Sequence, residues 1–188
     1  MNSGKLVVGL VGMPGSGKSI IVEAAQKRGY AVVVMGDVVR EETRNHGLEL
    51  TPQNVGKVML ELRKTGGNDV IAEKCIPRIE NAKNEPLIID GLRSLYEADV
   101  FKAHFPTFTL IAVHASPETR FKRLNTRRRS DDTAEWQIFH ERDMRELSVG
   151  LGSAIAMAEY VIINDNSIEE TRAKIEEILS RVEAKWTK

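Results

Sequence analysis

Apolar positions along this chain gather into five short unbroken runs: Leu6 to Val11, Ala31 to Met35, Pro86 to Asp90, Phe108 to Val113 and Tyr160 to Ile163. The runs are rich in β-branched residues and continuous rather than alternating. That is the pattern of strands buried on both faces, so it predicts a parallel sheet covered by helices. Helical spacing fills the intervals. Ile21, Ala24 and Ala25 repeat on one face, with Gly29 as a stop signal. Ser116 followed by Pro117 reads as an N-cap with proline at the first helical position. Ser167 opens a capping box with Glu170, and Ile168, Ile175, Ile178, Leu179 and Val182 form one apolar stripe behind it. The alternation predicts an α/β fold, a five-stranded parallel sheet flanked by helices in three layers, with ligands at the carboxyl ends of the strands.

Two stretches depart from that alternation. Residues 37–85 hold about three helices between the second and third strands, one starting at Thr51 and Pro52 and two separated by Gly66 and Gly67. They read as a helical insertion with its own task. Residues 126–148 are dense in charge, with few core positions before Trp136 and Phe139, and read as a short lid.

Length and composition narrow the class. A chain of 188 residues suits one domain, and 41% apolar with 29% charged residues is the balance of a soluble globular protein. No apolar run approaches a membrane span. A few polar residues lead directly into the first strand without an apolar signal segment, so a cytoplasmic location is expected. Lys plus Arg and Asp plus Glu are both 27, so no global field draws nucleic acid, and the Arg127, Arg128, Arg129 run is the one visible basic cluster. Cys75 has no partner Cys or His at disulfide or metal spacing and is expected to be a buried apolar residue.

The chemistry begins at Gly12, Met13, Pro14, Gly15, Ser16, Gly17, Lys18 and Ser19, which match G-x-x-x-x-G-K-[ST] between a buried strand and a helix. Glycines let successive N–H groups turn toward phosphate oxygens, and the helix N-terminus adds positive potential. Lys18 is expected to bridge the β- and γ-phosphates of ATP, while the Ser19 hydroxyl ligates Mg²⁺. The nucleotide-binding stretch is taken to run through Ile20. GTPases typically carry a guanine-reading N-K-x-D, which is absent here.

Further residues supply an acceptor side. Asp90 ends the third strand beside the glycine loop, where an aspartate holds Mg²⁺ or accepts a proton from the attacking group; a turn aspartate before Gly91 is the plainer alternative. On the helix starting at Pro117, Arg120, Arg123 and Arg127 are spaced i, i+3 and i+7 and so share a face that can converge on one anion. Arg123, Arg127 and Arg129 are the lid candidates for stabilising a transferring phosphoryl group, a solvated charged face being the alternative. The Arg142-Asp143-Met144-Arg145-Glu146 stretch can also form an internal ion-pair helix. Asn164, after the fifth strand, is a candidate for reading the adenine edge through its backbone groups.

Three motifs bear a family likeness. Asp90-Gly91-Leu92-Arg93 resembles the Asp-Gly-Phe-Pro-Arg that presents an acceptor-phosphate arginine, with the proline missing and the arginine one residue earlier. Gly36-Asp37-Val38-Val39-Arg40 resembles the Gly-Asp-Met-Leu-Arg of an acceptor-binding region. Arg129-Ser130-Asp131-Asp132 with Arg142 resembles a lid with a returning arginine, although the longer return leaves Arg145 as the alternative. The chain therefore resembles the nucleoside monophosphate kinases of the P-loop NTPase fold, adenylate kinase being the best-known member. It is closer, over nearly its whole length, to an archaeal family labelled dephospho-CoA kinase-like or adenylate kinase-related. The resemblance implies that Asp37 and Arg40 frame an acceptor nucleotide and that Arg93 holds its phosphate, with Arg142 returning from the lid. Planar bidentate donors suit that task.

The expected function is transfer of the γ-phosphoryl of ATP to a small nucleotide-like acceptor, a nucleoside monophosphate or dephospho-coenzyme A. A regulatory or assembly ATPase that closes on a protein or RNA partner is the rival reading.

Overall fold

A computed structural model describes residues 4–83, 86–127 and 135–186. The elements run β1 (Val7–Val11), α1 (Lys18–Lys27), β2 (Ala31–Val34), α2 (Met35–Asn45), α3 (Pro52–Gly66), α4 (Val70–Asn81), β3 (Leu87–Leu92), α5 (Leu95–His104), β4 (Thr109–His114), α6 (Pro117–Arg127), α7 (Trp136–Ser148), α8 (Leu151–Ala156), β5 (Tyr160–Ile163) and α9 (Ile168–Trp186). The strands form one parallel sheet in the order β2-β3-β1-β4-β5. This is the α/β architecture that the apolar runs predict.

Each face of the sheet carries its own core. Val7 and Val11 of β1 point toward α2, α4, α5 and α8, where Phe101, Cys75, Ile79 and Leu151 are buried. Val8 and Leu10 point the other way, toward α1 and α9. Burial on both faces holds for β1 and almost all of β3 and β4. It does not hold at the sheet edges. β2 is half-buried throughout, and β5 leaves Val161 44% and Ile163 51% exposed, because an edge strand has one neighbour and incomplete helix cover.

Local signals place the helix ends. Ser167 and Glu170 form the reciprocal capping box, at 3.2 and 3.3 Å. Behind it Ile175, Ile178, Leu179 and Val182 are buried, but Ile168, expected on the same stripe, is exposed at the first turn. Ser116 caps α6 through the Thr119 N–H, and Thr51 caps α3 through the Asn54 N–H. At the other end of α4, the buried Lys5 ammonium donates to the carbonyls of Ile79, Glu80 and Ala82. That side chain satisfies carbonyls that a helix terminus leaves open.

Several strand ends lie one or two residues from their sequence positions. Met35 belongs to α2 rather than to β2, and β3 continues two residues past Asp90. The inserted stretch between β2 and β3 is the three helices α2, α3 and α4. Of the charge-dense segment 126–148, residues 128–134 lie outside the described residues, Arg129 among them. The remainder is chiefly α7, whose Phe139 is fully buried.

Candidate active site

The central strand β1 delivers the chain to its carboxyl end between β3 and β4, and the glycine loop turns there into α1. Gly12 passes so near β4 that a Cβ would stand 2.5 Å from the Val113 carbonyl. Gly15 and Gly17 take φ of 80° and 97°, the left-handed region that side chains disfavour. With these turns the Ser16 N–H donates to the Met13 carbonyl at 3.0 Å and the Ile20 N–H to the Gly17 carbonyl at 3.1 Å. The first N–H groups of α1 have no carbonyl a turn behind them and carry the positive end of the helix dipole. Met13 and Ile20 pack into the two cores, so they contribute backbone to the loop and side chains to the fold. Ser19 stands exposed on the first turn.

Lys18 reaches back over the loop, donating from Nζ to the Gly12 carbonyl at 2.7 Å. Burial draws its pKa down to about 8, and Arg93 and Arg142 add to that, while Asp90 and Glu146 oppose it. Five charged side chains from the loop, β3 and its exit, and α7 thus share one electrostatic site. Asp90 pairs in register with Leu10 of β1 and Val34 of β2, and its Oδ1 is buried with no hydrogen-bond partner. An orphaned carboxylate oxygen near a lysine suits a hard divalent cation. No cluster of three or more His, Cys, Asp or Glu occurs among the described residues. Such a cation would therefore be held by Asp90, Ser19, water and nucleotide phosphates, a donor set that fits Mg²⁺.

The shared face of α6 divides. Arg120 is 3% exposed, and its guanidinium forks onto Asp143 of α7 at 2.8 and 2.6 Å. Its remaining donors reach the Ala115 and Pro14 carbonyls at 3.1 and 3.2 Å. Four of its five N–H donors are spent on protein oxygens, so the buried Arg120 braces the glycine loop from behind, a departure from the expectation that it converges with Arg123 and Arg127 on an anion. Arg123 donates to the Asn164 carbonyl at 2.8 Å and lies 3.5 Å from the Ser16 carbonyl. Arg127 ends α6 on an exposed surface.

Asn164 is likewise a strut. Its N–H donates to His114 at 2.8 Å, its carbonyl accepts from Arg123, and its side-chain amide donates to the Ser16 carbonyl at 2.8 Å. Its N–H and carbonyl are thus both engaged within the protein. Periodicity on α6 cannot separate a buried bracing arginine from a ligand-facing one, because the difference lies in what α7 and the loop bring alongside.

On the acceptor side, Asp37 and Arg40 pair with each other within α2. Their neighbours Glu41 and Glu42 bind Arg78 and Lys74 of α4 instead. Arg93 reaches Glu146 of α7 through Nη1, while its N–H donates to the Glu97 carboxylate at 2.7 Å. Glu97 is wholly buried and also receives Arg63 of α3 at 2.5 Å. Sequence reasoning passed over Glu97 and Arg63, yet Ser94 and Glu97 have capping-box spacing, and Ser94 does cap α5 through the Glu97 N–H. Arg142 is half-buried and felt by Lys18, whereas Arg145 is exposed.

The family described as AAA domain matches residues 11–137. A UPF0200 protein of Methanocaldococcus jannaschii is 49% identical over 179 residues, which is 94% of this chain and 90% of that one. A UPF0200 protein of Thermococcus onnurineus is 44% identical over 181 residues, 94% of this chain and 98% of that one. Among solved structures, shikimate kinase from Bacteroides thetaiotaomicron superimposes with a TM-score of 0.64 at 18% identity, covering 93% of this chain and 98% of the enzyme. The TT1252 structure from Thermus thermophilus gives 0.66 at 15% identity, covering 94% and 97%. At those identities the likeness is one of fold, a P-loop kinase-type α/β domain.

Proposed function

The chain belongs to the UPF0200 protein family, and we propose that it is an ATP-dependent phosphotransferase acting on a small nucleotide-like acceptor, a nucleoside monophosphate or dephospho-coenzyme A. The observation that carries the reading is the pairing of Lys18 over the loop with the buried, partnerless Oδ1 of Asp90 at the end of the neighbouring strand.

The loop N–H groups and Lys18 hold the β- and γ-phosphates, and the half-buried setting of Lys18 strengthens its charge on them. Mg²⁺, held by Ser19 and Asp90, supplies neutralisation of phosphate charge. Asp90 lies where it can accept the hydrogen bond of an attacking hydroxyl. Arg93, fixed by Glu97, offers a guanidinium to the acceptor, and Arg40 offers a second from the inserted helices α2, α3 and α4. Arg123, braced between Asn164 and the loop, stands beside the phosphates, with Arg127 and Arg129 on the segment that would close over them.

A coupled assay of ADP production over a panel of nucleoside monophosphates and dephospho-coenzyme A tests the proposal. At least one acceptor should raise ADP production well above hydrolysis, and Lys18→Ala should abolish it with the fold intact. If no acceptor does so while a protein or RNA partner does, the chain is a regulatory or assembly ATPase. Full activity in Lys18→Ala would refute the site itself.

A further inference from the structure

Helix α7 turns charge inward. Trp136, Phe139, Asp143 and Glu146 follow one another at i, i+3, i+7 and i+10, so they line one face, and the last three are buried. Asp143 is engaged by Arg120. Glu146 is engaged by Arg93, the residue assigned above to the acceptor's anion. The two partners are unequal in exposure: the Arg93 side chain is 38% exposed and the Glu146 side chain 9%. Solvent, and therefore a ligand, can reach the guanidinium while the carboxylate sits behind it. Glu146 also acts on Lys18, so this carboxylate stands inside the catalytic field rather than at a distant surface.

The backbone that carries Arg93 is anchored. Its N–H is held by Glu97, and Glu97 is held by Arg63 and by the first turn of α5. The guanidinium is thus presented from an anchored backbone to whichever anion lies before it. A carboxylate and a phosphomonoester offer a guanidinium the same paired-oxygen edge, so Glu146 and an acceptor anion compete for one set of donors. Displacing a buried carboxylate leaves it without its cation, which only a more highly charged newcomer offsets.

We propose that Glu146 is a specificity-determining residue: a built-in anion on Arg93 that phosphomonoester dianions displace and monoanionic carboxylates do not. The inference rests on the acceptor role given to Arg93 under the proposed function. It identifies the acceptor by its phosphate rather than by its base, and it ties acceptor entry to the parting of Arg93 from Glu146.

The test is a titration with inorganic phosphate and with acetate as bare probes, on protein saturated with Mg²⁺ and a non-hydrolysable ATP analogue so that the glycine loop is filled. Wild type should bind phosphate weakly and acetate not at all. Glu146→Gln should tighten phosphate by about tenfold or more and admit acetate, because the competing charge is gone. Both gains should vanish when Arg93→Gln is added. A phosphate affinity within twofold of wild type in Glu146→Gln, or a gain that survives Arg93→Gln, overturns the proposal; the second result would mean only a change in the general field. Circular dichroism and thermal melting establish that each variant is folded. Should Glu146→Gln fail to fold, Glu146→Asp carries the test, since a shorter carboxylate releases Arg93: tighter phosphate supports the proposal and unchanged affinity overturns it. The outcome is separable from the kinase reading, since phosphate can compete with Glu146 in a protein that transfers nothing. An active kinase whose phosphate affinity ignores Glu146 would refute the inference alone.

Discussion

Replacing Asp143 by alanine should destabilise the protein strongly. Arg120 is 3% exposed and Asp143 7% exposed, and two charge-assisted bonds of 2.8 and 2.6 Å join them. Removing one member strands a buried guanidinium, whose remaining partners are the Ala115 and Pro14 carbonyls and the Phe139 ring 5.0 Å away. Breaking such a pair costs about 3–5 kcal/mol. In a chain of this length each kcal/mol lowers Tm by about 2–4 °C, so Asp143→Ala should melt about 6–20 °C below wild type. The assay is thermal and urea unfolding followed by circular dichroism on nucleotide-free protein, since bound nucleotide adds its own stabilisation. The double variant Arg120→Met with Asp143→Leu separates lost contact from stranded charge, and it should lie within about 1 kcal/mol of wild type because no unpaired ion remains. A loss below about 1 kcal/mol in Asp143→Ala, or a double variant as unstable as the single, would refute the reading that a stranded buried guanidinium is what destabilises Asp143→Ala.

Four further outcomes follow from the same geometry. Lys18, lowered to about 8 from 10.5 chiefly by burial, binds its proton less tightly folded than unfolded. Stability of the nucleotide-free protein should therefore rise between about pH 8 and 10.5, where the unfolded chain retains the proton that the folded one has lost. Melting profiles of wild type and Lys18→Met that run parallel across that window would contradict this. ATP affinity should fall above about pH 8 as the ammonium is lost. Gly17→Ala should weaken ATP binding by an order of magnitude or more, because residue 17 holds φ at 97° and a Cβ would collide with the Asn164 amide; binding measured by calorimetry within threefold of wild type would contradict it. Cys75 is buried and its thiol pushed up to about 12, so it should resist maleimide in the native state and react on unfolding. Rapid labelling of native protein would contradict that burial.

Much of the molecule is legible without coordinates. The five apolar runs became the five strands with ends displaced by no more than two residues, because continuous β-branched sequence has few other burial options. The cap at Ser116 and the capping box at Ser167 and Glu170 also appear as read, since such contacts span three residues and answer to local geometry alone. Ile168 shows the limit of that locality: it has the right spacing for the buried stripe, yet it sits in a first turn that nothing covers.

What the sequence by itself determined is the glycine loop, its strand and helix, and the order of the parallel sheet's elements, all consequences of short-range spacing and backbone conformation. What only the tertiary structure decided is which charges face which. Arg120 and Arg123 share a helix face, yet one is consumed by Asp143 behind the loop and the other spans Ser16 and Asn164. Arg93 stood out in the sequence as a candidate for holding phosphate, but its backbone hold by Glu97 and its engagement by Glu146, 53 residues away, were not legible there. The reason is physical. A guanidinium's role is set by the anions that packing brings within about 3 Å, and side chains distant in sequence meet only after the cores on both faces of the sheet have closed.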